Sequence, residues 1–155
     1  MFWIVMIAIV AVDQLSKYII VRSMELGQSI EVIDGFFHLT YVLNTGASFS
    51  LLQDQRWFFI VLTVIVLAVV FIYLRQIPRD KKLLRLLLAG FCGGAIGNFI
   101  DRLYQGAVVD FLDFKVWPPV FNVADSFLVV SVIALCIYIL FEEKSVAKGR
   151  EQKHE

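Results

Sequence analysis

Charge is scarce in this chain of 155 residues: Asp, Glu, Lys and Arg make up 18% of it, and 14 basic residues cancel 14 acidic ones. A zero net charge leaves no electrostatic footprint for nucleic acid. Histidine and cysteine are rarer still, two of each. Cys92 and Cys136 both lie inside apolar runs, where they read as small buried hydrophobes and give a disulfide no support. With so few imidazoles and thiols, no transition-metal site and no cofactor are expected, and only an all-oxygen Mg²⁺ or Ca²⁺ site stays open. No G-x-S-x-G motif or Ser-His arrangement is present, which argues against a serine protease. His38 reads as structural, and His154 falls in the C-terminal tail. The N-terminus lacks a basic leader and a following A-x-A-like site, so it reads as a retained span. Repeats and low-complexity tracts are missing too, and the length suits a single domain, 1–155.

What the chain has in excess is apolar residues, 59% of the total, well above the near-half of a water-soluble domain. A bilayer core about 30 Å thick needs roughly 20 mostly apolar helical residues. Four stretches qualify, at about 2–21, 57–74, 83–101 and 126–141, followed by a tail, 142–155, expected to be flexible. Arg75, Arg79, Lys81, Lys82 and Arg85 lie between spans two and three, and Lys144, Lys148, Arg150 and Lys153 lie in the tail. The other side holds Arg22, Arg56, Arg102 and Lys115. Nine against four puts both termini in the cytoplasm.

The polar intrusions then fall on one side. Asp13 and Lys17 lie in the outer half of span one, and Asn98, Asp101 and Arg102 at the outer end of span three. Asp125 stands at the outer mouth of span four, with Asp110 in the loop before it. Such convergence marks a site near the outer leaflet. In the first outer loop, Ser29–Ile33 and Phe36–Leu43 flank Asp34-Gly35, a favoured two-residue hairpin turn because both positions tolerate positive φ. Trp117-Pro118-Pro119 excludes helix from the other loop and suits an interfacial anchor. The expected fold is an all-α membrane protein of four transmembrane helices with a small extracytoplasmic β-hairpin or sheet at the outer surface.

Each candidate also has a plainer reading. Asp13 and Lys17, four apart, neutralise each other on one helix face, although intramembrane charges default to function. Arg102 cannot serve as a general acid but can orient carboxylates. Gly90, Gly93, Gly94 and Gly97 give small-xxx-small spacings that suit close helix packing. Asp125 reads as a helix N-cap, Asn44-Thr45-Gly46 as a turn, and spacing does not choose between Asp110 and Asp113. What remains is a set of carboxylates at a membrane surface. Two of them close together share a proton and divide acid and base roles, as an aspartic peptidase requires.

Five ordered blocks carry a resemblance over nearly the whole chain: Asp13-Gln14-x-x-Lys17, Asn44-Thr45-Gly46-Ala47-x-Phe49, Gly97-Asn98-x-x-Asp101-Arg102, Val108-Val109-Asp110-Phe111 and Phe121-Asn122-x-Ala124-Asp125. In these the chain resembles the bacterial lipoprotein signal peptidases (signal peptidase II). The resemblance implies catalysis by Asp110 and Asp125, and so selects Asp110 over Asp113. It implies supporting roles for Asp13, Lys17, Asn44, Gly46, Asn98, Asp101, Arg102 and Asn122. Ser48, where a second small residue is usual, is a mild departure. The implied substrate is a prolipoprotein whose cysteine carries diacylglycerol, cut just before that cysteine; a monomer in contact with membrane lipid is expected. The competing reading is a proton- or cation-coupled transporter, disfavoured because the charges cluster at one face and inverted repeats are missing.

Overall fold

The computed structural model describes residues 1–46 and 52–151, with the side chains of 143–151 excepted. Among these the order is α1 (Phe2–Ser23), β1 (Ser29–Ile33), β2 (Phe37–Asn44), α2 (Arg56–Gln76), α3 (Lys82–Tyr104), β3 (Val108–Phe114), β4 (Val120–Phe121) and α4 (Val123–Glu151). The four helices are long and apolar enough to cross a membrane, α4 counting from Val123 to Glu142. All four carry large apolar side chains exposed on their flanks, such as Ile4, Val69, Leu86 and Ile133. Cys136, expected inside, is on such a flank, while Cys92 is buried. An apolar run does not say which of its faces turns inward.

The helix ends have local causes. The residue before a proline is pushed out of helical geometry, and Ile77, before Pro78, is extended. Arg85 Nη1 donates to the freed carbonyls of Leu74 and Ile77, at 3.3 and 3.0 Å. The other correction is at α4, which starts three residues before the apolar run does. Asn122 Oδ1 accepts the Asp125 N–H at 2.8 Å, and Asp125 Oδ2 accepts the Asn122 N–H at 3.3 Å. That reciprocal cap makes Asn122 the N-cap and Asp125 the third helical residue. α4 also continues to Glu151, through a segment rich in the strong helix formers Glu, Lys and Arg. His154 lies outside the described residues.

α3 packs against the other three helices. Its small face permits this: a Cβ on Gly94 would sit 2.5 Å from the Ala124 carbonyl oxygen and 2.8 Å from the Leu128 side chain. At one end of the bundle Phe2, Met6, Leu74, Ile77, Leu84, Leu88, Ala89 and Cys92 form an apolar cluster. At the other end lies an antiparallel four-stranded sheet, in the order β1-β2-β3-β4. It seats on the end of α1 through Tyr41, Val109 and Phe111 against Ile20 and Met24.

The expected hairpin is present. Its turn closes through the Phe36 N–H on the Ile33 carbonyl at 3.0 Å, and Gly35 takes φ +61 while Asp34 does not adopt positive φ. The segment read as a loop around Asp110 is strand β3. Val-Val-Asp-Phe-Leu-Asp-Phe is buried along nearly its whole length, so it lacks the in–out alternation that announces a strand. Between Leu39 and Val42 the register slips by one residue against β3, a bulge in β2.

Candidate active site

Asp13 and Lys17 form an ion pair at 2.9 Å, and the same ammonium reaches Asp101 of α3 at 2.9 Å and Asn98 Oδ1 at 3.0 Å. An ammonium has three donors, and these contacts use all of them. The carboxylates are equally occupied. Asp13 Oδ1 accepts the Ala124 N–H at 2.9 Å, which ties the start of α4 to α1. Asp101 accepts the Val109 N–H at 3.1 Å and Gln14 Nε2 at 2.9 Å. Asp13, Lys17 and Asp101 are all at most 3% exposed. A Cβ on Gly97 would come 2.5 Å from Asp13 Oδ2, so this lattice needs a bare backbone on α3.

Three asparagines stand in front of it. Asn122 Nδ2 donates to Asp110 Oδ1 at 2.6 Å and to Asn98 Oδ1 at 3.1 Å. Asn44 Nδ2 donates to Asp110 Oδ2 at 2.9 Å, and its own Oδ1 accepts the Gly46 N–H at 3.0 Å. Asn98 Nδ2 donates to Asp125 Oδ1 at 2.7 Å. Asp110 and Asp125 are thus held by neutral amides, whereas Asp13 and Asp101 are held by a cation. A neutral donor fixes a carboxylate's position without cancelling its charge. Burial raises the Asp110 pKa to about 7, and the negative charge of Asp125 adds to the rise; Asn44, Asn122 and Lys17 oppose it.

Both carboxylates line a cavity of about 290 Å³, together with Asn44, Gly46, Asn98 and Arg102. Arg102 Nη2 donates to the Gly46 carbonyl at 2.9 Å. The rest of the lining is largely apolar, with Leu62 and Val66 of α2 and Leu128 of α4, and it includes Thr63. Six of the residues singled out in the sequence therefore meet at the cavity. Asn122 touches its carboxylates, and Asp13, Lys17 and Asp101 brace it from behind. Ala47, Ser48 and Phe49 lie outside the described residues. Sequence reasoning did not select Gln14, whose amide links Asp13 and Asp101, or Thr63 of α2.

Asp113, the rival of Asp110, is three residues further along the same strand. Successive strand residues point to opposite faces, so an odd separation sends the two carboxylates apart. Asp113 accepts Thr40 Oγ1 at 2.6 Å and Lys115 Nζ at 2.5 Å. Burial acts to raise its pKa, but the bonds from Lys115 and Thr40 hold it below the usual carboxylate value. Strand pairing also creates a Ser-His contact that the linear sequence hides: Ser29 Oγ lies 3.2 Å from His38 Nδ1. That hydroxyl also bonds to Thr40 Oγ1 at 2.7 Å, on an exposed face of the sheet, and neither residue lines the cavity.

A family model described as signal peptidase (SPase) II matches residues 5–141. The chain belongs to the signal peptidase II family. A lipoprotein signal peptidase of Moorella thermoacetica is 48% identical over 150 residues, covering 97% of this chain and 98% of that one. Another, of Desulfitobacterium hafniense, is 47% identical over 146 residues, 94% of this chain and 97% of its own. A solved structure described as a bacterial membrane enzyme superposes with TM-score 0.88 at 33% identity, covering 93% of this chain and 90% of that chain. The four helices and the small sheet are thus the architecture of a known membrane enzyme. Within the signal peptidase II family a membrane-bound protease is expected of them, and the transporter reading falls away.

Proposed function

We propose that this chain is a lipoprotein signal peptidase, an aspartic endopeptidase that removes signal peptides from diacylglyceryl-modified prolipoproteins by cutting before the lipidated cysteine. The observation that carries this reading is the pair Asp110 and Asp125, held by amides at one cavity in a chain of this family. One carboxylate takes a proton from water as the water oxygen attacks the scissile carbonyl carbon, and the other, protonated, hydrogen-bonds the carbonyl oxygen. On collapse, the proton gained by the first passes to the departing amine. We assign the shared proton to Asp110 and the base role to Asp125. Asp125 sits in the first turn of α4, where unpaired N–H groups and the positive end of the helix dipole gather.

The Lys/Arg asymmetry supports both termini in the cytoplasm and the cavity near the outer leaflet. A diacylglyceryl cysteine there keeps its acyl chains in lipid and its peptide bond at the interface. The apolar wall of the cavity suits this, as do the exposed rings of Trp57 and Trp117. The reading is of a monomeric, single-domain enzyme. The test is purified protein in nanodiscs with one prolipoprotein in lipidated and unlipidated forms. Rapid cutting of the lipidated form alone is expected; equal rates on both would sink the substrate assignment. Single-cysteine labelling from outside should reach Gln28 and not Gln76, and the reverse would invert the topology.

A further inference from the structure

α2 contributes no charge to the cavity, yet its Phe59 contacts a charged residue there. The Arg102 guanidinium lies over the Phe59 ring, 4.6 Å from its centroid. From that guanidinium runs a continuous chain of contacts. Arg102 Nη2 donates to the Gly46 carbonyl, Gly46 N–H donates to Asn44 Oδ1, and Asn44 Nδ2 donates to Asp110 Oδ2. Arg102 Nε is buried and has no hydrogen-bond partner among the described residues. The ring is therefore a main restraint on the guanidinium plane. A cation over an aromatic face is attracted by the ring quadrupole, and more strongly where water is excluded.

We propose that Phe59 is a positioning residue of this site, holding Arg102 so that the Asn44–Gly46 turn keeps its amide aimed at Asp110. This rests on the peptidase reading above and adds to it a residue from the helix with no polar motif. An amide that wanders leaves Asp110 without one of its two asparagine donors. Of the charges that face Asp110, Asp125 from α4 and Lys17 from α1 stay in place, while Arg102 from α3 is the one that loosens. The Asn44 hydrogen bond lowers the Asp110 pKa, so weakening it raises that pKa and moves the alkaline limb of the rate profile to higher pH.

Wild-type protein is assayed first on lipidated prolipoprotein. A wild type that does not cut strikes the peptidase reading. A cutting wild type matched by Phe59→Leu strikes this proposal alone. The expected result is a kcat about tenfold lower in Phe59→Leu with KM nearly unchanged, the factor that about 1.4 kcal/mol represents. The alkaline limb should also move upward, and Phe59→Tyr, which keeps the ring face, should restore both. In an Asn44→Ala background Phe59→Leu should add little, since both act through one contact. Equal losses in the Leu and Tyr variants, an unmoved alkaline limb, or full additivity with Asn44→Ala would each overturn the proposal. Should Phe59→Leu fail to insert, Phe59→Met against Phe59→Tyr carries the same comparison and is judged by the same outcomes.

Discussion

The two ends of the helix bundle are held by different physics. At one end α1, α2 and α3 meet through Phe2, Met6, Leu74, Ile77, Leu84 and Leu88. At the sheet end α1, α3, α4, β2 and β3 meet through Lys17, three asparagines and four aspartates. In lipid an apolar contact between helices gains little from leaving solvent, because the surrounding chains are as apolar as leucine; close packing is what remains. A buried polar group has no such indifference. It is satisfied in one geometry and costly in others. The apolar end gives cohesion that tolerates small shifts, and the polar end gives a fixed arrangement of carboxylates.

The largest effect should come from breaking the polar end at its proposed catalytic pair. Asp110→Asn and Asp125→Asn each keep size but turn one of two accepting oxygens into a donor, and should lower cleavage by about 10³-fold or more in a protein that remains folded. A cleavage assay beside a thermal unfolding scan checks both halves of that statement. Next is Lys17→Met, which leaves Asp13 and Asp101 buried without their cation and should destabilise by about 3–5 kcal/mol. Leu88→Ala at the apolar end should cost nearer 2 kcal/mol, because the cavity is felt while the transfer contribution is small in lipid; it should leave the pH profile unmoved. Equal losses for the two variants in detergent unfolding would erase the contrast between the ends. A smaller effect is expected from pH. Asp110 holds its proton until about pH 7, so the rate should decline as pH rises through that value, and a profile flat well into the alkaline range would remove the proton from the mechanism. Asp113→Asn should change activity least, within about a factor of two, as substitutions of about 0.5 kcal/mol do. A dead Asp113→Asn beside an active Asp110→Asn would reverse the assignment.

The spans were legible because membrane thickness sets a length that composition reveals, and the polar intrusions stood out against that background. Legibility failed where burial is two-sided. β3 hides its strand character because both faces are covered, and with it went the rule that separates Asp110 from Asp113; only the family resemblance chose between them. Asn122 shows a second limit. Its three roles, capping α4, bonding Asp110 and bonding Asn98, depend on contacts across the fold, and one asparagine before an apolar run suggests no more than the first. Phe59 and Thr63 were invisible for a different reason. α2 is apolar all round, so no stripe in its sequence marks the face that looks into the site.

The hydrogen bond from the Ala124 N–H to Asp13 joins the first helix to the start of the last, so it can form only once most of the chain has been made. Asp13 and Lys17 lie one turn apart on α1 and can pair before any other partner exists. Asp101 arrives with α3, and Asp110 follows on β3. Asp125 and the backbone that completes the Asp13 contact come only with α4. A chain stalled before that point lacks Asp125, so on the proposed mechanism an unfinished copy should sit in the membrane without cutting.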